Sequence, residues 1–252
     1  CADGRLETLE SICDNIETCE KSLNEYLDQK KKAFPRFYFV ANQALLDILS
    51  NGNRPLKVAD YLGDVFDGIR TLDFSKDPEL GRIACGHYAK DGEYVAWGDS
   101  VTLEGAVETY LSNLEQHIRL MLRDILEAAR AGADNWEVDK EGRELWLEDY
   151  CAQLSLVVTQ IFWTEEVGRA FEDLESGSET AMRDLKKVND ERIERLIKRV
   201  QGSLSDDLRT KIITIITIDV HSRDIVEMFV NLRLMDAQDF KWGSQLRFYW
   251  NN

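Results

Sequence analysis

Lys32-Ala-Phe-Pro-Arg-Phe-Tyr-Phe-Val-Ala-Asn-Gln-Ala-Leu-Leu-Asp-Ile-Leu49 is the stretch that decides the fold. Pro35 has no amide to donate, and its ring pushes Phe34 out of helical geometry, so a helix arriving from upstream must end before it. Phe37, Tyr38 and Phe39 then read as an extended aromatic plug. Asn42 reads as the cap of a new short helix that stops near Gly52. The product is a helix–corner–helix, a building unit of a helical domain.

Upstream of the corner, Leu9, Ile12, Ile16, Cys19, Leu23 and Tyr26 alternate at spacings of three and four. This is an apolar stripe on one helix that ends near Ala33. Three heptads are too few to demand a coiled coil, so the stripe is expected to pack on the domain. Downstream, Asn42–Ser50 and Pro55–Leu72 read as helices, the second with Pro55 in its first turn. The segment Ile83–Trp97 changes period. Asp91-Gly92 between two short extended runs predicts a hairpin with a two-residue turn, which pairs Lys90 with Glu93, Tyr88 with Val95 and His87 with Ala96. In that register Tyr88, Val95 and Trp97 share one face, and Ala89 and Tyr94 the other. One hairpin cannot stand alone in water, so Ala89 and Tyr94 form a candidate contact face.

In the second half, Val107, Tyr110, Leu111, Leu114, Ile118, Met121, Leu122 and Ile125 make a helical stripe ending near Gly132. A polar link (Ala133–Glu141) divides the chain into units 1–132 and 133–252. A helix is expected from Gly142 to Trp163, with Thr164 as a fresh cap ahead of Glu165 and Glu166. Ser176-Gly-Ser178 breaks the chain, and Ser178 starts a helix through about Val200. The run Ile212-Ile-Thr-Ile-Ile-Thr-Ile-Asp-Val220 would be a strand by intrinsic preference. Its flanks, Asp206–Lys211 and Ser222–Leu232, keep a helical period and favour a buried helix, which the resemblance described below also implies. Asp236 caps a terminal helix. Asp219 and Arg223, four apart, are placed to pair.

The composition of 44% hydrophobic and 31% charged residues over 252 positions is that of a folded, soluble chain. A formal charge of −16 argues against a nucleic-acid surface, which needs clustered Lys and Arg. The runs Lys30–Lys32 and Lys186-Lys187 read as solvated helix faces. No run approaches the roughly 18 apolar residues of a membrane span, and no signal peptide is expected in this stretch. With Cys1 first, the chain reads as an excised or processed piece. Five cysteines without a CxxC pair fit free thiols in a reducing cytosol. Cys85-Gly-His87 is half a metal site without a second half, and reads as a buried thiol and an ordinary histidine. No glycine-rich loop ends in Gly-Lys-Ser/Thr, so no amide cradle for phosphate is expected. Hydrolase and metalloprotease signatures are absent too. Asp219, His221, Arg223 and Asp224 form the one tempting polar constellation, but His221 has no nucleophile beside it. No catalytic, cofactor-binding or metal residue is assigned.

Two stretches at the far end stand beside the opening one: Ile216-Thr-Ile-Asp-Val-His-Ser-Arg-Asp-Ile225 and Asp239-Phe-Lys-Trp-Gly-Ser-Gln-Leu-Arg-Phe-Tyr-Trp250. The three together, in this order, resemble the C-terminal half of the linker of dynein heavy chains. Lys90–Val95, Tyr150–Gln153, Gln160–Val167 and Glu194–Gly202 extend the resemblance over nearly the whole chain. Cys151 departs from it, standing where the family usually has proline. Lys241 and Gly243 replace an acid and a large apolar residue, and Gly243 weakens the terminal helix by roughly 1 kcal/mol relative to alanine. Ser244–Trp250 looks axonemal. The resemblance implies a mostly α fold: an elongated stack of helical bundles with one small β-hairpin.

By the same resemblance the fragment is the ring-proximal half of a mechanical lever for microtubule-based axonemal motility. It would itself be non-catalytic, with ATP and Mg belonging to the parent motor, a microtubule-dependent ATPase. Its implied partners are the AAA+ ring of the same heavy chain and, indirectly, microtubules, with no nucleic acid and no membrane. Its implied location is the cytoskeleton of a cilium or flagellum. Trp242, Leu246, Arg247, Tyr249 and Trp250 are the candidates for coupling to the ring, because so short a terminal helix cannot bury all that apolar surface. The alternative of a spectrin-like or coiled-coil tether calls for uniform three-helix repeats, which the hairpin and uneven spacings oppose. A metal-dependent or hydrolytic enzyme would need a motif that the sequence lacks.

Overall fold

The computed structural model describes residues 4–133, 136 and 142–251. It divides into two compact units, 1–121 and 122–252. Apart from Ala133 and Trp136, the expected polar link Ala133–Glu141 lies outside the described residues.

In the first unit, α1 (Arg5–Ala33) ends where Pro35 requires, with Phe34 extended at φ −134° and ψ 96°. The aromatic corner is not extended. Pro35–Phe39 is a turn of 3₁₀ helix, closed by bonds from the Phe37 amide to the Phe34 carbonyl (3.0 Å) and from Val40 to Phe37 (3.2 Å). Successive side chains on such a turn point about 120° apart, so only one of the three rings can face inward. That ring is Phe37, which is fully buried and meets Phe34 edge-on at 5.0 Å, whereas Tyr38 and Phe39 are exposed. The cap of α2 (Asn42–Ser50) is Ala41 rather than Asn42, whose Oδ1 instead accepts a 2.8 Å bond from Lys31 Nζ.

The helix expected over 55–72 is broken into α3 (Pro55–Val58), a 3₁₀ turn (Ala59–Tyr61), α4 (Leu62–Val65) and a strand, β1 (Ile69–Asp73). Phe66 is already extended, and Gly68 follows within the turn. β1 pairs antiparallel with β2 (Ile83–Ala89), and β2 with β3 (Tyr94–Thr102), so the expected hairpin is part of a three-stranded sheet in the order β1-β2-β3. Its turn holds three residues, not two. Ala89 donates to the Glu93 carbonyl (2.8 Å), and Gly92 takes a φ of 98°, the bulge-forming position of a three-residue loop. The register therefore slips by one, to His87 opposite Val95 and Tyr88 opposite Tyr94. That slip moves Tyr88 off the buried face of Val95 and Trp97 and sets it beside Tyr94.

The helix α5 (Val107–Ala133) supplies this unit with the buried Val107, Tyr110, Leu111, Leu114 and Ile118. Lys30 reaches Glu108 at 2.5 Å and Arg36 reaches Glu115 at 3.1 Å, tying the end of α1 and the corner to α5. The expected packing of the α1 stripe is not found. Leu27 is the buried residue of α1, whereas Leu9 is 60% and Ile16 59% exposed. The period correctly gave an apolar face, but the described residues of the first unit do not cover it.

The second unit contains α6 (Gly142–Asp149), α7 (Ala152–Glu175), α8 (Ala181–Val200), α9 (Asp206–Leu232) and a single turn, α10 (Phe240–Gly243). The helix expected from Gly142 to Trp163 is interrupted at Cys151, which is extended at φ −64° and ψ 154°. A φ near −65° is the value proline fixes, and proline is the residue the resemblance places here. Thr164 starts no new helix. It lies inside α7, and its hydroxyl donates to the Gln160 carbonyl at 2.8 Å.

The β-branched run is helical as expected, but only one side is buried: Ile212 and Ile215 are inside, and Ile213 is half exposed. Asp219 does not pair with Arg223. It binds Arg143 of α6 through both oxygens, at 2.7 and 3.0 Å, whereas Arg223 bonds Asp190 (3.1 Å) and Asp224 (2.8 Å). A buried carboxylate takes the partner that is buried with it. Asp236 caps only a turn, accepting from the Gln238 amide (2.7 Å). Asp239 caps α10 through the Lys241 amide at the same distance.

No helix among the described residues is long and apolar enough to cross a membrane. Removing the inward ring of the corner, Phe37→Ala, is expected to cost about 3–5 kcal/mol of unfolding free energy. Phe39→Ala, at an exposed site, should stay within about 0.5 kcal/mol. Urea unfolding measures both, and equal losses would contradict the 3₁₀ geometry.

Candidate functional site

The C-terminal residues singled out by sequence divide into a root and an exposed run. Trp242, on α10, is buried against Trp163 and Phe171 of α7 and Phe229 of α9, with ring centroids 5.5, 6.0 and 6.0 Å away. The chain after Ser244 is not helical. The Arg247 guanidinium lies over the Trp242 ring at 5.2 Å and the Tyr249 ring at 5.8 Å, and the Phe248 amide donates to Thr164 Oγ1 at 3.2 Å. Thr164 thus anchors the segment, a role that its cap-like sequence context concealed. Around this root Phe240 is 80%, Leu246 76% and Tyr249 61% exposed, and Trp250 is half-buried. Beside Tyr249, the Thr164, Gly168 and Arg169 side of α7 borders an open groove of about 580 Å³.

The sheet offers a second exposed aromatic site. Tyr88 and Tyr94 are both partly exposed, with ring centroids 5.0 Å apart, and Ala89 is half-buried beside the turn. The Tyr94 hydroxyl donates to Asp73 Oδ2 at 2.7 Å, carrying its ring over Gly86. A Cβ on Gly86 would stand 2.6 Å from that hydroxyl, so a side chain there would push the Tyr94 ring off its bond to Asp73. The Tyr94 hydroxyl and the Ser75 amide hold the Asp73 carboxyl down at about 2, and the same bond to Asp73 pushes Tyr94 up to about 12.

Cys85 is occupied at the foot of this network, with Sγ 3.2 Å from Asp73 Oδ2 and 3.3 Å from Ser75 Oγ. His87 turns elsewhere and accepts the Trp97 indole hydrogen at Nδ1 (2.9 Å), while burial lowers its pKa below the ordinary imidazole value. The two residues of Cys85-Gly-His87 therefore serve different partners. No group of three His, Cys, Asp or Glu side chains among the described residues is placed to hold a metal. The Asp219 constellation is likewise dispersed, with Asp219 buried on Arg143 and His221 exposed.

Among the described residues the first unit is made of helices and a small sheet and the second of helices, and both carry exposed apolar side chains. The chain belongs to the dynein heavy chain family: the family model described as Dynein heavy chain, N-terminal region 2, matches residues 1–129. Over 252 residues it is 42% identical to Dynein axonemal heavy chain 9 of Homo sapiens, covering 99% of this chain and 6% of that protein. It is 42% identical over 246 residues to the ciliary Dynein beta chain of Tripneustes gratilla, covering 97% and 5%. It is 41% identical over 255 residues to the flagellar outer arm Dynein beta chain of Chlamydomonas reinhardtii, covering 98% and 5%. The chain thus spans about one-twentieth of the length of the curated relatives it matches.

The Asp73–Tyr94 bond predicts a stability profile with two edges. Asp73 has a depressed pKa, so its contribution is complete above its ordinary value of 3.8 and is lost as pH falls toward about 2. Tyr94 has a raised pKa, so its contribution is complete below its ordinary value of 10.0 and is lost as pH rises through about 12. Tyr94→Phe should be less stable than the parent at neutral pH, and the gap should narrow toward both edges. Chemical denaturation across pH tests this. A gap that stays constant down to about pH 2.5 would exclude the bond as its source.

Proposed function

We propose that this chain is a ring-proximal stretch of the linker of an axonemal dynein heavy chain, acting as a lever within the motor. In this reading ATP-driven changes in the AAA+ ring pass through it into the power stroke of microtubule-based motility, in the axoneme of a cilium or flagellum. The stretch itself is non-catalytic. ATP, Mg and direct microtubule contact belong to the rest of the heavy chain. The axonemal, ciliary and flagellar names of the relatives support this reading, as does the absence of a phosphate-cradling loop from the sequence.

The observation that carries it is the C-terminal segment. A lever needs a rigid root and a surface that another body can grip. Trp242 is the root, packed among Trp163, Phe171 and Phe229 and covered by Arg247. Phe240, Leu246 and Tyr249 are the surface. Burying each such side chain stabilises a complex by roughly 1.5–3 kcal/mol, enough for a change of contact to move the lever. The AAA+ ring of the same heavy chain is the proposed partner, with Arg247 and Trp250 at the edge of the contact. The sheet supplies a second contact toward the ring, through Tyr94 and its neighbour Tyr88, with Ala89 beside the turn.

The test uses an intact motor carrying Leu246→Ala and Tyr249→Ala together. Basal ATPase should persist while microtubule gliding slows several-fold, and the thermal melting of the 252-residue chain with the same changes should stay at the parent value. Unchanged gliding would refute the coupling. Trp242→Ala is the contrasting variant: it removes a buried ring and should lower the melting temperature of the chain itself, by about 3–5 kcal/mol in stability terms.

A further inference from the structure

In the second unit, α6, α7, α8 and α9 meet Trp136 around a cavity of about 20 Å³. Four of its wall residues, Trp136, Arg143, Trp163 and Asn189, each carry a buried nitrogen donor (Nε1, Nε, Nε1 and Nδ2) that has no protein acceptor among the described residues. All four residues are more than nine-tenths buried. A buried donor without a partner is costly, and four around one small cavity point to an acceptor shared among them.

We infer that this cavity is a binding site for one ordered water molecule that joins the four helices. Its volume suits one water, which occupies roughly 10–15 Å³ on this measure. The wall is electrically balanced: Arg143 pairs with Asp219 at 2.7 Å, and Arg192 pairs with Glu166 at 2.7 and 2.8 Å. No net positive charge remains on this wall to hold an anion, and two carboxylates would repel one. Water, unlike a halide, also has hydrogens to give. The Asp219 carboxylate and the Thr159 and Ser222 hydroxyls on the same wall are there to accept them. The water takes two of the four N–H donors at a time and returns two bonds to these oxygens, completing a polar node that reaches every long helix of the unit.

The 252-residue chain tests this directly. Indole N–H signals of Trp136 and Trp163, assigned through Trp136→Phe and Trp163→Phe, are read for magnetisation transfer from water. At least one is expected to show the cross-peak of a long-lived internal water, and Asn189→Leu, which fills the cavity, should abolish it. Crystallography should show a solvent peak within hydrogen-bond distance of at least two of the four donors. Absence of both the cross-peak and the peak would overturn the site, as would a cross-peak that survives Asn189→Leu. A bromide soak that gives an anomalous peak in the cavity would make it an anion site and overturn the assignment to water.

Discussion

The ring of Pro35 withholds one amide and fixes one torsion, and the first unit is assembled around that break in the helix. Phe34 must leave the helix, the next residues close a 3₁₀ turn, and that turn drives Phe37 into the core while presenting Arg36 to Glu115. Lys30, one turn before the break, reaches Glu108 on the same partner helix. With the end of α1 held at these points, α2 and the segment leading to β1 pack behind it. An extended corner would have pointed two neighbouring rings to opposite sides and lost this arrangement.

The second unit is organised by buried charge. Arg143–Asp219 joins α6 to α9, and Arg192–Glu166 joins α8 to α7, each with both side chains almost entirely covered. Such pairs add little net stability, because two desolvation penalties offset their attraction, but breaking one leaves a lone buried charge. A shifted register of these helices would part both pairs and leave four charges buried without their partners. The apolar clusters on either side, around Trp146 and Ile212 and around Phe171 and Trp242, then fill a frame already set.

The long helices are legible because α5 and α9 repeat apolar residues over many turns, although over Ile212–Val220 the helical flanks outweigh the β-branched content only together with the family resemblance. β1 was hidden for a physical reason. The buried residues Leu62, Val65, Phe66, Ile69 and Leu72 fall at helical spacing although the last two belong to a strand. The hairpin is legible but the length of its turn is not, since Asp91-Gly92 serves both loop lengths and only the φ of Gly92 with the Ala89–Glu93 pairing distinguishes them. At the C-terminus the residue types were legible and their division was not. Nothing in the spacing says that Trp242 is inward while Leu246 and Tyr249 are outward, because the helix that would have set their phase ends at Gly243. Arg143 and Asp219 lie 76 positions apart, and neither announces the other.

The uncovered face of α1 bears on how copies of this chain behave toward one another. Each copy carries a net charge of −16 together with a stripe that includes Leu9, Ile12 and Ile16 in contact with water. The repulsion reaches far in dilute buffer but is confined to about 8 Å at physiological ionic strength. Attraction between the stripes is short-ranged and is not weakened by salt in the same way. Colloidal stability of the chain is therefore electrostatic, and it falls as the ionic strength of the solution rises.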